Sequence, residues 1–441
     1  MIVSKKGVRW ISSSPEKAWE ERQISDCTCT CGTNLTFTSE RYQKVKGFGG
    51  CFNELGWSAL SGIGEDNRNK ILDDLFDAEN GCGFNFCRLP IGASDYSEGW
   101  YSCNETDGDC GMNKFSIERD RSSIIPYIRE AKKRNPGLKL FASPWSPPTW
   151  MKHPKVYNFG TLIWEKEILE AYALYLLKFA IAYEGEGLEL EQLHVQNEPC
   201  ADQKFPSCLW TGEKLRDFIK GYLGPLFESN GCKTEIWLGT LNEADYDGYA
   251  NTVLSDPDAR RFITGVGYQW DGKGAIQPTH DSWPEMRLMQ TENECGDGEN
   301  TWEYARYVFN LCRHYFVNGA ESYIYWNMVL KPGGMSTWGW KQNAMITVLK
   351  DKGGFSYNPE FYLMKHFSHF IMPGAVRRGL KGPWSGNALA FENPNGETVL
   401  VISNPFDTSR SLCLDTGSEK VTLELNPFSF NTIITDTIKK Y

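Results

Sequence analysis

Two glutamates are placed where paired carboxylates do chemistry. Glu198 closes the run His194-Val195-Gln196-Asn197-Glu198-Pro199, and Glu292 lies within Met289-Gln290-Thr291-Glu292-Asn293-Glu294. Each run is apolar or alternating and ends where a strand would hand over to a loop. The two positions are 94 apart, room for roughly two further strand-helix units. Two carboxylates meeting at one site serve double displacement at a glycosidic carbon, one protonating the leaving oxygen while the other attacks. Glu198 is read as the acid/base and Glu292 as the nucleophile. A negative nucleophile raises the proton affinity of its neighbour, which keeps Glu198 protonated until the glycosyl-enzyme forms. Glu294 competes with Glu292, because a strand aims residues two apart at the same face. Glu292 is preferred as the last ordered strand position. Asn197 is placed to donate to a sugar 2-hydroxyl, and Pro199 stops the strand and turns the chain outward.

The surrounding pattern supplies elements to hold such a pair. Strands are predicted at Gly47–Phe52, Phe84–Leu89, Lys139–Ala142, Gln192–Gln196, Glu235–Gly239, Gly265–Gln269, Arg287–Gln290 and Ser322–Trp326. Amphipathic helices are predicted over Glu165–Tyr183, Gly212–Ser229 and Thr301–Val317. Eight strands alternating with helices predict an α/β fold, a (β/α)8 TIM barrel with its active site at the C-terminal ends of the strands. After about Phe370 the texture changes to short strands, Ala388–Phe391, Thr398–Ser403, Ser411–Leu414, Lys420–Leu425 and Ser429–Thr435, separated by turn residues. These predict an appended β-sandwich side domain built from both chain ends: residues 1–46 contribute its N-terminal strands, 47–365 form the catalytic barrel, and 366–441 complete the sandwich.

Composition narrows the ligand. At 441 residues the chain accommodates a barrel plus a smaller module. Aromatic residues make up 14%, enough for a large core with rings left to stack on the C–H faces of sugars. A net charge of −10 argues against nucleic acid, which needs a basic face. No run of 18 apolar residues predicts a membrane span. Met1–Gly7 has no apolar leader core, so a cytoplasmic location is expected. Cys27, Cys29 and Cys31 alternate too closely for tetrahedral zinc; neither metal nor cofactor is expected. Cys103 with Cys110, and Cys200 with Cys208, lie in predicted loops, where free thiols are expected.

Several stretches resemble a known family. Gln43-Lys44-Val45-Lys46-Gly47-Phe48-Gly49-Gly50, Phe86-Cys87-Arg88-Leu89-Pro90 and Ala142-Ser143-Pro144-Trp145-Ser146-Pro147-Pro148-Thr149-Trp150-Met151-Lys152 come first. Asn197-Glu198-Pro199, Thr291-Glu292, Trp326-Asn327 and Lys365-His366-Phe367-Ser368-His369-Phe370-Ile371 follow in order. Together they are similar to glycoside hydrolase family 30, among the retaining clan A barrels and of the glucocerebrosidase-like type, over roughly residues 43–380. The resemblance implies the same acid/base and nucleophile. It further implies that Asp95 binds sugar hydroxyls, that Trp145 and Trp326 line the glycone pocket, that Asn343 lies near it, and that Arg88 positions carboxylates from behind.

The chain departs from that pattern near the rim. It has Thr291-Glu292-Asn293-Glu294-Cys295 where the type carries Thr-Glu-Ala-Cys, and Gln269 where a histidine is common; Gln269 is counted with the substrate-binding residues. The loop Trp100–Met112, with Asp107, Asp109 and two cysteines, is its own. The leading expectation is a retaining, exo-acting β-glucosidase, glucosylceramidase-like in type. Endo-β-1,6-glucanase, β-xylosidase and β-fucosidase are alternatives within the family. A non-catalytic carbohydrate-binding protein is the alternative from another class, and it predicts that one of the two carboxylates is missing.

Overall fold

Eight short, nearly all-buried runs alternate with amphipathic helices, and such runs are stable only with both faces covered. In the computed structural model, which describes residues 7–24, 34–349, 353–417 and 420–435, they close into one parallel barrel. Its strands are β1 (Gly47–Cys51), β2 (Phe86–Ile91), β3 (Lys139–Pro144), β4 (Leu190–His194), β5 (Glu235–Leu241), β6 (Ile263–Gln269), β7 (Arg287–Glu292) and β8 (Ala320–Asn327). The ring closes through β8 and β1, with Tyr323 opposite Phe48 and Ile324 opposite Gly49. Glycine is required in β1, since a Cβ on Gly49 would lie 2.0 Å from the Phe86 carbonyl oxygen. Phe86, Phe141, Trp237, Met289 and Ile324 form a buried cluster drawn from five of the strands, a packed interior of the kind such barrels require.

The helices follow the expected amphipathic segments. The longest, Lys166–Gly185, buries Leu169, Tyr172, Leu176 and Phe179 along one stripe. The helix Trp302–Val317 starts at Thr301, whose hydroxyl accepts from the Tyr304 amide. The predicted helix Gly212–Ser229 is interrupted by a wider turn over Ile219–Leu223.

Beside the barrel lies a nine-stranded sheet. Val8–Ser13 runs antiparallel to Ser429–Thr435, and Leu35–Lys44 antiparallel to Val376–Lys381. Buried His366, on the helix Pro359–Ser368, lies 2.8 Å from both Ser13 Oγ and Thr432 Oγ1. One barrel-side residue thus ties a strand from each end of the chain. Cys27, Cys29 and Cys31 lie outside the described residues. Cys103, Cys110, Cys200 and Cys208 are free thiols.

Candidate active site

The site is organised around a buried arginine. Arg88, in β2, is wholly inaccessible to solvent, and its planar fork is fully engaged. Nη1 lies 2.5 Å from Glu292 Oε2, Nη2 lies 2.6 Å from Asn197 Oδ1, and Nε and Nη2 reach Ser143 Oγ at 3.0 and 2.7 Å. The rings of Trp145 and Trp326 pack over the guanidinium at 4.5 and 5.3 Å. An unpaired cation buried here would cost several kcal/mol, so charged hydrogen bonds and aromatic faces together are what make its burial tolerable.

Glu292 is the last residue of β7 and is 6% exposed. Besides Arg88 it accepts from Gln269 Nε2 at 3.0 Å. Burial pushes it up to about 7, with the Arg88 charge and hydrogen bond holding it down. Glu198 is different. It sits half-buried just beyond β4, with φ of 47° ahead of Pro199, a left-handed conformation that costs a non-glycine residue of order 1–3 kcal/mol. Its amide donates to the Thr240 carbonyl at 3.0 Å, but no described residue donates to its carboxyl. Burial, then the charge of Glu292, pushes it up to about 8. Of the pair, Glu198 holds the proton more firmly, because only Glu292 has donors that favour its anion.

Both carboxyl groups face one cavity of about 280 Å3, which Asp95, Trp145, Asn293, Trp340 and Gln342 also line. Asp95 follows β2 on a buried turn, and its Oδ1 has no partner. Burial raises its proton affinity, and the charges of Glu292 and Glu198 raise it further. Trp145 and Trp326 lie with ring centroids 5.3 Å apart. The indole N–H of Trp326 is buried without an acceptor. Of the two, only Asp95 lines the cavity, where a polar ligand would complete its unpaired oxygen.

The remaining expected residues are placed as follows. Asn197 Oδ1 meets Arg88, Gln269 Nε2 at 2.7 Å and Thr240 Oγ1 at 3.1 Å. Since arginine only donates, that atom must be the oxygen, and Asn197 Nδ2 is the side left unengaged. Gln269 is fully buried behind the two carboxylate-bearing strands, its amide nitrogen within reach of Asn197, Thr240 and Glu292. It touches the carboxylate rather than the cavity. Glu294 points away and accepts from Tyr307 at 2.6 Å. The strand pairing ends at Glu292, so alternation no longer carries Glu294 to the same face.

Asn343, expected beside the pocket, is not in it. Its Nδ2 donates to Glu360 at 2.7 Å, and its Oδ1 accepts from the amides of Gly298 and Asn300 at 2.9 and 3.2 Å. Every polar atom of that side chain is engaged in holding the loop after β7. The neighbouring Gln342 faces the cavity instead. Trp340, Trp270, Phe205 and Asn242 also line it and were not anticipated; they sit on loops whose course no periodicity reveals. Aromatic residues scattered through loops were the only available hint.

The description glycosyl hydrolase family 30 TIM-barrel domain matches residues 45–371, and that family's β-sandwich domain matches residues 374–433. Putative glucosylceramidase 1 of Caenorhabditis elegans is 31% identical over 83% of this chain and 75% of its own length. An endo-1,6-β-D-glucanase of Neurospora crassa is 25% identical over 88% of this chain and 87% of its own. Among solved structures, SrfJ from Salmonella typhimurium superposes with a TM-score of 0.90 at 26% identity, covering 98% of this chain and 99% of that one.

Proposed function

Since this chain belongs to glycosyl hydrolase family 30, whose barrel description spans most of it, we propose that its retaining β-glycosidase chemistry runs through Glu292 as nucleophile and Glu198 as acid/base. The observation that carries the assignment is the asymmetry of donors. Arg88 and Gln269 hydrogen-bond Glu292, while Glu198 receives none from the described residues.

The ionised Glu292 attacks the anomeric carbon as Glu198 gives its proton to the departing oxygen. The carbon–oxygen bond to the aglycone breaks, and an ester to Glu292 forms. Esterification removes the negative charge that helped raise Glu198, so Glu198 now takes a proton from water, which displaces the carboxylate with a second inversion. Asn197 Nδ2 donates to the 2-hydroxyl, a contact that strengthens as positive charge grows on the ring. Asp95 accepts from hydroxyls on the far side of the ring, and Trp145 supplies an apolar face. Gln269 acts through Glu292 and Asn197 as a positioning residue. Asn343 has no part in sugar binding.

The substrate supported best is a β-glucoside cleaved from its non-reducing end. A cavity of about 280 Å3 holds little more than one ring, below the ~300–1,000 Å3 of pockets for larger ligands. One observation favours internal cleavage of a β-1,6-glucan: Trp340 lines the cavity yet is 38% exposed, a ring free to stack on a further sugar. A panel of aryl β-glycosides beside a long β-1,6-glucan separates the two. Glucose released singly supports the first reading, and rapid shortening of the glucan supports the second. Labelling of Glu292 by a fluorinated glycoside tests the mechanism itself, and a label found on Glu294 would reverse the assignment.

A further inference from the structure

Away from the catalytic cavity, the helix Trp302–Val317 meets the strand Val376–Lys381 across a small cleft of about 140 Å3 onto which Arg313, Arg377 and Arg378 open. Only one of the three is neutralised. Arg378 pairs with Glu392 and donates to the carbonyls of Thr38 and Glu40. Arg377 is 8% exposed and lies 3.6 Å over the Tyr42 ring. Its Nε donates to the neutral Gln43 amide oxygen at 3.2 Å, and no carboxylate pairs with it among the described residues. Arg313 meets no acceptor at all among the described residues, and its Nε is buried without a partner.

The carboxylates nearby form no ion pair with Arg313 or Arg377 among the described residues, and Glu40 acts on Arg377 only from a distance. Glu392 is shared between Arg41 and Arg378, and Glu40 accepts from Thr38 and Tyr42. Arg41, Arg313, Arg377 and Arg378 therefore face two carboxylates, a local excess of two positive charges in a chain of net charge −10. Burial disfavours the charged form of Arg377 most, Tyr42 and Glu40 support it, and the neighbouring charge of Arg313 opposes it. Two guanidinium groups side by side without a counter-ion are costly to bury. A planar donor fork fits the oxygens of phosphate and sulfate.

We propose that this cleft binds a tetrahedral oxyanion, phosphate or sulfate, between Arg313 and Arg377 at the junction of the barrel and the side sheet. The site is separate from the glutamate pair and stands whether or not the catalytic reading does. Thermal unfolding is followed while sodium phosphate, and separately sodium sulfate, replaces chloride at fixed ionic strength. The wild-type Tm rises with at least one of them, growing with the logarithm of anion concentration above its Kd. In Arg313→Gln that rise is lost or needs at least tenfold more anion to reach the same size, with the aryl glycosidase rate unchanged. No rise in wild type with either anion, or an equal rise in Arg313→Gln, overturns the proposal. Should Arg313→Gln fail to fold, calorimetric titration of phosphate and of sulfate into the wild-type protein decides. Saturable heat with either supports the site, and none with both overturns it.

Discussion

Arg88 Nη1 lies 2.5 Å from Glu292 Oε2, and both groups are shut away from solvent. The ion pair fixes the direction of the carboxylate and lowers its proton affinity against the opposing effect of burial. Because the same guanidinium holds Asn197, one side chain aligns the attacking oxygen and the residue beside the acid.

Arg88→Lys keeps the charge but loses the planar fork. Loss of charged hydrogen bonds worth about 1.5–3 kcal/mol lowers kcat/KM roughly ten- to a hundredfold. In Arg88→Gln the charge is lost too, so Glu292 ionises at higher pH. The ascending limb of the kcat/KM profile then moves upward. A profile that keeps its limb in place would show that Arg88 does not set the ionisation of Glu292.

Glu198→Gln removes the proton donor without changing shape. Glycosides with poor leaving groups lose about 10²–10⁴-fold in rate, whereas dinitrophenyl glycosides, which leave unaided, form the glycosyl-enzyme at a rate close to wild type. Stopped-flow bursts with both substrates report this. An equal loss on the two would remove Glu198 from the acid role.

Much of this arrangement was legible in the chain. Glu292 ends a strand and Glu198 follows one closely, both in apolar runs, and the period of those runs fixes the barrel. The β-sandwich strands were found because turn residues delimit them, Thr398–Asn404 and Lys420–Leu425 among them. Asn343 lies in an irregular stretch between Lys341 and the strand Ile346–Leu349, where no alternation says whether it or Gln342 faces inward. The sequence shows Gln269 near the end of β6, which reads as a sugar contact, while the bulge that pairs it with Glu292 is not visible there. The rim residues Trp270 and Trp340 depend on loop paths that are set by long-range packing.

Stability should fall as pH rises from about 7 to 8, above the range in which buried His194 and His366 give the opposite slope. Glu198, Glu292 and Asp95 all have proton affinities raised by folding, so the folded state binds more protons than the unfolded chain through that window. By linkage the unfolding free energy then decreases with pH. Glu198→Gln removes one of these groups and is more stable than wild type at pH 8, with the difference vanishing near pH 5. Each kcal/mol of relief is about 1 °C of Tm in a chain of 441 residues. A gain of equal size at both pH values would show that the effect has nothing to do with ionisation.

Asn343 and Gln342 are neighbours with opposite duties, and exchanging each for alanine should separate them. Asn343→Ala leaves the Gly298 and Asn300 amides and a Glu360 oxygen without their partner, at a cost of about 1–3 kcal/mol for each group left buried and unsatisfied. Its Tm therefore falls markedly, while KM for an aryl glycoside stays within a few-fold because no cavity contact is lost. Gln342 instead lines the cavity and accepts from Asn327 at 2.7 Å. Gln342→Ala leaves one buried donor, the Asn327 amide, unpaired against three groups for Asn343→Ala, so its Tm falls less while its KM rises. Melting curves and initial rates on the two proteins decide the matter, and a raised KM with unchanged Tm in Asn343→Ala would return that residue to the sugar pocket.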